Sequence, residues 1–175
     1  MQMKPKLLSL TQTALFAVII ALCSMLSIPA AVPFTLQTFG VFFTLFMLGG
    51  KYGTLSIAVY ILLGTVGLPV FHGFTGGAGV LLSNTGGYIF GFLLSGIIYM
   101  LLTRIRNEKK TKLIYAFIGL IVCYLTGALW FVFTSSSAES FWVVLTACIL
   151  PFIIPDTVKI LLAYFLSQRL SKIRH

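Results

Sequence analysis

Apolar residues run along this chain in long stretches, which polar, glycine-rich and proline-rich segments interrupt. The stretches predict helices over Leu7 to Ile28, Thr38 to Leu48, Tyr52 to Val66, Tyr88 to Thr103, Leu113 to Phe133 and Pro155 to Leu170. A helix that spans a bilayer needs about 20 apolar residues. The second and third are shorter and are joined by a tight turn at Gly49-Gly50-Lys51, which is tolerated against longer neighbours. The pattern therefore predicts an all-α membrane protein with six transmembrane helices.

Two of the interruptions are too irregular to be helices. Pro29 and Pro33 force an extended connection that leads into Thr35-Leu36-Gln37. The stretch from Gly67 to Gly87 contains too many glycines to be a regular helix throughout.

The apolar run from Phe141 to Leu150 is followed by Pro151 and Pro155. We interpret this run as a half-helix that enters from one side and is broken, between the two prolines, from the last helix. Broken helices in membrane proteins occur where the backbone lines a cavity.

Composition supports a single membrane domain over residues 1–175. The chain is 59% hydrophobic and 9% charged with a mean hydropathy of +1.07, which excludes a water-soluble domain with a polar exterior. The apolar run from Leu7 is also longer than the core of a signal peptide and lacks a small-residue cleavage pattern, so it predicts the first transmembrane helix.

The net charge of +9 comes from short clusters at the ends of the apolar runs, and not from one amphipathic face, so nucleic acid is not indicated. With six crossings, all but one of the cations fall on one side: Lys4, Lys6, Lys51, Arg104, Arg106, Lys109, Lys110, Lys112, Arg169, Lys172 and Arg174. The opposite connections, around Pro29 to Gln37, Gly67 to Gly87 and Thr134 to Ser140, have no Lys or Arg. The positive-inside rule then predicts a multi-pass cell-membrane protein with both termini in the cytoplasm.

Catalytic and metal-binding chemistry is not supported. Cys23, Cys123 and Cys148 lie within apolar runs without metal-ligand spacing, and His72 is better explained as solvated or pocket-lining than as a ligand. There is no phosphate-binding GxxxxGK[ST] loop, no Ser/His/Asp set and a total of three acidic residues. We therefore expect no enzyme, no metal and no cofactor.

Asp156 and Lys159 are the only ionisable residues well inside a predicted span, and their i, i+3 spacing places both on one face of the last helix. At about 1.5 Å per residue, Asp156 lies roughly 20 Å above Arg169, in the outer half of the bilayer. Intramembrane charges are costly unless they are used, which predicts a site. The alternative is a structural ion pair, with Asp156 stabilised by the helix N-terminus just after Pro155.

The segment Ser83-Asn84-Thr85-Gly86-Gly87-Tyr88 combines hydrogen-bonding side chains with glycines that let a ligand approach the backbone. Its backbone N–H groups could bind an anion. The alternative is an ordinary helix cap by Asn84 or Thr85.

Small side chains at Ala14, Ala17 and Ala21 share one face of the first predicted helix. Such a face allows close helix packing. It serves either packing within the chain or a partner subunit, and the spacing alone does not decide between them.

Four motifs together resemble one family, the biotin-specific substrate-binding subunits of energy-coupling-factor transporters, called BioY. They are Val32 to Gly40 (VPFTLQTFG), Gly67 to Phe71 (GLPVF), Thr85 to Tyr88 (TGGY) and Pro151 to Lys159 (PFIIPDTVK). The resemblance implies a six-helix bundle that binds one biotin near the outer face, with the first outer loop as a lid. It also implies a transmembrane scaffold subunit, which Ala14, Ala17 and Ala21 would contact, and paired ATPases.

Biotin has two ureido N–H donors, a ureido carbonyl, an apolar ring and a carboxylate, and each needs a complement. Asp156 can accept from the ureido group, Asn84 or Gln37 can donate to its carbonyl, and Phe34, Phe39 and Tyr88 can cover the ring. Lys159 meets the carboxylate or holds Asp156 ionised. Thr35 to Phe39 closes over the vitamin, beside Gly86 and Gly87.

Three other functions remain open from the sequence. A self-sufficient channel would need a polar path across both halves of the bilayer, and the inner half has almost no ionisable residue. A purely structural membrane partner would leave the intramembrane pair without a use. A different vitamin, such as riboflavin or thiamine, is the closest rival, because fold does not fix the ligand.

Overall fold

The computed structural model describes residues 5–28, 32–135 and 141–173. Pro29, Lys4, Arg174 and the predicted outer loop over residues 136–140 lie outside these ranges. The described chain consists of helices and one two-stranded hairpin: α1 Pro5–Met25, β1 Ser27–Ile28, β2 Phe34–Thr35, α2 Gln37–Thr65, a 3-10 turn His72–Phe74, α3 Ala78–Leu82, α4 Gly86–Ile105, α5 Lys109–Thr134, α6 Phe141–Cys148 and α7 Leu150–Ile173. In the hairpin, Ser27 pairs with Thr35 and Ile28 with Phe34.

Five helical stretches in the described ranges are long and apolar enough to cross a membrane: Leu7–Met25, Gln37–Thr65, Gly86–Ile105, Lys109–Thr134 and Val144–Lys172. Large apolar side chains such as Leu15, Leu62 and Leu162 are exposed on their outer faces. An apolar surface of this extent is suited to contact with lipid and not with water. The all-α membrane class is confirmed.

α2 contains the second and third predicted helices. Gly49 has φ 75° and ψ 178°, which is non-helical and suited to glycine. A Cβ atom on Gly53 would lie 3.0 Å from the Cα of Leu45, although eight residues of straight helix span about 12 Å. The chain therefore turns back at Gly49, and the two halves of α2 pack against each other as the sequence predicts. The number of crossings and their orientation stay predictions.

The last helix begins at Leu150 and not at Pro155, and the break before it is confined to Ile149. Pro151 falls in the first turn of α7, where a missing N–H removes no hydrogen bond. Pro155 lies inside the helix. Asp156 is consequently beyond the first turn, where the helix dipole has little effect, so its predicted stabilisation by the N-terminus is wrong.

The cations of the described chain other than Lys159 gather at one end of the bundle. Lys51 of α2, Arg104 of α4 and Lys112 of α5 line one surface cavity there, and Lys109 lines another that reaches Ser171 near the end of α7. We call this the cationic end. The opposite end, here called the uncharged end, carries the hairpin, the 3-10 turn and α3, and none of these described elements contains Lys, Arg, Asp or Glu.

Candidate functional site

A pocket lies beneath the uncharged end, where the hairpin, the 3-10 turn and the ends of the longer helices meet. The pocket contains a cavity with a volume of about 60 Å³, which is several times the roughly 10–15 Å³ that one water needs. The lining residues therefore face a space that is larger than a single water. Five of the residues predicted from sequence line it: Thr35, Gln37, Tyr88, Asp156 and Lys159. The hairpin covers the pocket, and α2, α4, α5 and α7 form its walls.

Asp156 and Lys159 form a buried ion pair on α7. Lys159 Nζ lies 2.8 Å from Asp156 Oδ1, and the two residues are 6% and 4% exposed. Charges removed from water need partners, and each of these groups has the other. The predicted pairing on one helix face is therefore present in the structure.

Tyr124 of α5 donates a hydrogen bond of 2.9 Å from its hydroxyl to Asp156 Oδ2. Each oxygen of Asp156 thus accepts from one protein donor, Lys159 or Tyr124. An ionised carboxylate has about four acceptor sites, so acceptor capacity remains for a ligand. Tyr124 also lines the pocket.

Lys159 joins the hairpin to the ion pair. Its Nζ donates a hydrogen bond of 2.7 Å to the backbone carbonyl of Thr35 and lies 3.9 Å from the centre of the Phe34 ring. Phe34 in turn stacks on Phe152 of α7 at 5.9 Å between ring centres. These contacts hold β2 against α7, over the pocket.

A second polar chain lines the pocket, on α1 and α2. Gln37 Nε2 donates to the Tyr60 hydroxyl at 3.1 Å, and that hydroxyl donates to Ser24 Oγ at 3.0 Å. All three residues are buried and all three border the pocket. One amide N–H of Gln37 is therefore engaged within the chain, and its second N–H and its carbonyl oxygen have no protein partner described.

Close packing at two glycines shapes the apolar part of the pocket. A Cβ on Gly64 would collide with the Phe71 ring, and one on Gly127 would collide with the Tyr88 ring. Both rings border the pocket. The Tyr88 hydroxyl donates to the Cys148 carbonyl at 3.3 Å, which fixes the ring orientation.

His72 is the one titratable residue of the 3-10 turn, and it borders the pocket. Partial burial holds the pKa of its imidazole below the usual 6.5, because burial disfavours the charged form. A neutral imidazole at physiological pH follows.

Asn84 does not line this pocket and is exposed. Trp130 Nε1 donates to the Ser83 carbonyl at 3.0 Å, which holds the turn against α5 with Asn84 outward. The predicted side-chain cap is also absent: Thr85 occupies the N-cap position of α4 without a capping hydrogen bond.

Gly86 and Gly87 permit helix packing and do not border the pocket. A Cβ on Gly86 would collide with the Leu81 carbonyl, and one on Gly87 with Trp130. The Gly86 and Tyr88 N–H groups donate to Ser83 and Thr85 carbonyls at 3.0 and 3.1 Å, so these two amides are not free for an anion. Phe39 stacks on Phe43 at 5.6 Å in a separate apolar cluster, also away from the pocket.

The small-residue face of α1 is divided between interior and surface. Ala17 and Ala21 are 1% and 7% exposed, whereas Ala14 is exposed. The two buried alanines contribute to packing within the chain, one of the two alternatives open from the sequence. Ala14 is accessible at the surface, and the scaffold contact through this face stays a prediction.

Sequence reasoning missed Tyr124, Tyr60 and Ser24. Each lies within an apolar run, where a lone hydroxyl gives no signal of its direction. One signal existed: counted along a helix of 3.6 residues per turn, Tyr124 lies on the same face of α5 as Leu120 and Gly127. That face is buried.

Comparisons with known proteins agree with one another. The model of the BioY family matches residues 1–175. The biotin transporter BioY of Thermotoga maritima is 38% identical over 165 residues, covering 94% of this chain and 96% of that protein, and the probable biotin transporter BioY of Pyrococcus horikoshii is 37% identical over 170 residues, covering 97% and 98%. A crystal structure of the S-component for biotin from an ECF-type ABC transporter superposes with a TM-score of 0.86 and 30% identity, covering 98% of this chain and 95% of that chain.

Proposed function

The chain belongs to the BioY family, and from this membership and the pocket geometry we propose that it captures biotin outside the cell. It acts as the substrate-binding subunit of an energy-coupling-factor vitamin transporter in the cell membrane. Capture without chemical conversion is the activity that the pocket supports. The observation that carries the proposal is the buried pair of Asp156 and Lys159, held by Tyr124 and the Thr35 carbonyl at the wall of a covered pocket.

Asp156 is the acceptor for one ureido N–H group of biotin. Its two oxygens each accept one protein hydrogen bond and keep further lone pairs, which a ureido donor can use. Hydrogen bonds from a neutral donor to an ionised carboxylate are stronger than neutral pairs, and more so in a site shielded from water.

Lys159 keeps Asp156 ionised in this arrangement. Its Nζ is 2.8 Å from Oδ1, so both charges act on the same end of a ligand and not on opposite ends. Of the two roles open from the sequence, holding Asp156 ionised is the one that this distance supports. The ligand carboxylate then extends away from the pair.

The remaining parts of biotin meet the other walls. Gln37 has an amide N–H left for the ureido carbonyl, since its other N–H serves Tyr60. The rings of Tyr88, Phe92 and Phe152 border the pocket and supply apolar cover for the thioether ring. Phe34 lies directly above, on the hairpin.

The hairpin is the lid of this site. Thr35 and Phe34 hold it closed through Lys159, so release of biotin requires that the contact between β2 and α7 be broken. In the complete transporter, a transmembrane scaffold subunit and ATPase subunits supply the energy for that step.

Calorimetric titration of the purified, detergent-solubilised chain with biotin tests the proposal, with riboflavin and thiamine as controls. We expect saturable binding of one biotin and none of either control. A folded sample that bound riboflavin or thiamine, and not biotin, would assign the pocket to another vitamin.

A further inference from the structure

A second cavity lies at the cationic end, far from the pocket described above. Its volume is about 150 Å³, more than ten times the roughly 10–15 Å³ that a water needs, so a group of several atoms fits. Six of its nine lining residues are polar or cationic, and the full lining consists of Gly49, Gly50, Lys51, Tyr99, Met100, Thr103, Arg104, Asn107 and Lys112.

Three separate elements bring their cations together here. Lys51 follows the reversal of α2 at Gly49, Arg104 lies in the last turn of α4, and Lys112 lies in the first turn of α5. Gly50 permits this, because any Cβ there would collide with the Met100 backbone. The turn of α2 is thus seated on α4, with the cavity beside it.

The described carboxylates do not neutralise these cations. Glu108 pairs with Arg106 at 2.7 Å, and Asp156 is in the biotin pocket. No acidic residue of the described chain lines the cavity. Lys51 has a weak partner in the Tyr52 ring, at 5.5 Å from Nζ to the ring centre. The cavity is therefore positive without an internal counter-charge.

Tyr99 is a candidate hydrogen-bond donor in the wall of this cavity. It lines the cavity, its side chain is fully buried, and its hydroxyl is the buried side-chain group for which the described chain provides no hydrogen-bond partner. Buried hydroxyl groups are nearly always satisfied, so one without a protein partner has a donor available for something else.

We propose that this cavity binds the phosphate group of an anionic phospholipid. The shared chemistry is that of a phosphate: Arg104 can meet two of its oxygens, Lys51 and Lys112 supply compact charges, and Thr103 and Asn107 add neutral donors. A lipid is favoured over a free anion, because Leu101 and Ile105 of α4 are exposed next to the cavity and continue as an apolar surface for acyl chains. Cationic cavities at helix ends are suited to anionic headgroups.

Native mass spectrometry of the purified full chain tests the assignment, with dioleoyl phosphatidylglycerol and dioleoyl phosphatidylcholine titrated separately. We expect phosphatidylglycerol to bind selectively. The double variant Lys51→Gln with Arg104→Gln is expected to bind phosphatidylglycerol about thirtyfold more weakly, since each cation near a lipid surface contributes roughly fivefold to the affinity. The matched control, Arg169→Gln with Lys172→Gln, removes the same charge from the same end outside this cavity and is expected to change affinity little.

Tyr99→Phe separates a ligand role from a packing role. The affinity for phosphatidylglycerol is expected to fall about tenfold, which corresponds to the loss of one hydrogen bond to a charged group. The thermal unfolding midpoint in lipid-free detergent is expected to stay unchanged or to rise. All variants are expected to keep the biotin affinity of the unmodified chain, so the result does not depend on the biotin site.

Equal binding of the two lipids by the unmodified chain would overturn the proposal. So would a control pair that loses as much affinity as the cavity pair, which would indicate diffuse attraction. If millimolar inorganic phosphate displaced the lipid, the ligand of this cavity would be a small anion and not a phospholipid.

Discussion

Lys159 of α7 donates a hydrogen bond of 2.7 Å to the backbone carbonyl of Thr35, at the hairpin that covers the pocket. The same ammonium pairs with Asp156 at 2.8 Å. One cation therefore contacts both the hairpin, which is the proposed lid, and Asp156, the proposed acceptor for biotin. The contact of the hairpin with α7 and the position of the Asp156 carboxylate therefore depend on the same ammonium group.

Replacing Lys159 with Met should disrupt both functions. Removing one partner of a buried ion pair costs roughly 3–5 kcal/mol, because the other charge stays buried without compensation. We expect a lower thermal unfolding midpoint and at least a hundredfold loss of biotin affinity, measured by calorimetry. The double variant Asp156→Leu with Lys159→Met should recover most of the stability but not the binding. Recovery of binding in the double variant would show that the pair is structural.

The variant Tyr124→Phe should weaken the binding of biotin without unfolding the chain. Its hydroxyl donates to Asp156 Oδ2, and a hydrogen bond to a charged group contributes roughly 1.5–3 kcal/mol, or about tenfold to a hundredfold in affinity. Tyr115→Phe, on the same helix but outside the pocket, is the matched control and should bind as the unmodified chain does. An equal loss in both variants would remove Tyr124 from the site.

Gly64→Ala should distort the pocket, because a methyl group there collides with the Phe71 ring. Phe71 also packs edge-on against Tyr60, with ring centres 5.5 Å apart, so its displacement disturbs the Gln37 and Ser24 side of the wall. Overpacking of this kind costs about 1–3 kcal/mol. Gly79→Ala is the control, since nothing lies within 4 Å of a Cβ there. Biotin affinity and unfolding midpoint should fall in the first variant and not in the second.

Stability should depend on pH through His72. Its pKa in the folded chain is below 6.5, so near and below pH 6.5 the unfolded state binds more protons than the folded state. The contribution of neutral His72 to the free energy of unfolding is therefore fully present above pH 6.5. It is lost as the pH falls from 6.5 towards the pKa of His72 in the folded chain. Thermal unfolding midpoints in detergent between about pH 8 and pH 5 should decline less steeply in His72→Gln. Parallel curves for the two proteins would contradict this origin.

Much of the architecture could be predicted because hydropathy and turn residues act locally. Gly49-Gly50-Lys51 signalled a reversal, and the structure has one at Gly49. The start of the last helix was mispredicted because a proline in a first turn and a proline that breaks a helix look the same in sequence. Pro151 is of the first kind, and α7 tolerates Pro155 in its interior.

The charged residues of the candidate site could be predicted from the sequence. Asp156 and Lys159 were the only ionisable residues embedded in a span, and burial of such groups requires pairing. Tyr124 could not be found in this way, since it and Asp156 are 32 residues apart in the chain and lie on different helices. The hydrogen-bonding side chain of Asn84 predicts a ligand contact, but its direction depends on the contact between Trp130 and Ser83, which no local pattern encodes.

The most direct test of the central claim is an experimental structure of the chain with biotin bound. The account predicts biotin beneath the hairpin, with one ureido nitrogen within hydrogen-bond distance, about 2.7–3.2 Å, of the Asp156 carboxylate and with Tyr124 still in contact. Biotin bound elsewhere, or bound with its ureido group turned away from Asp156, would contradict the account.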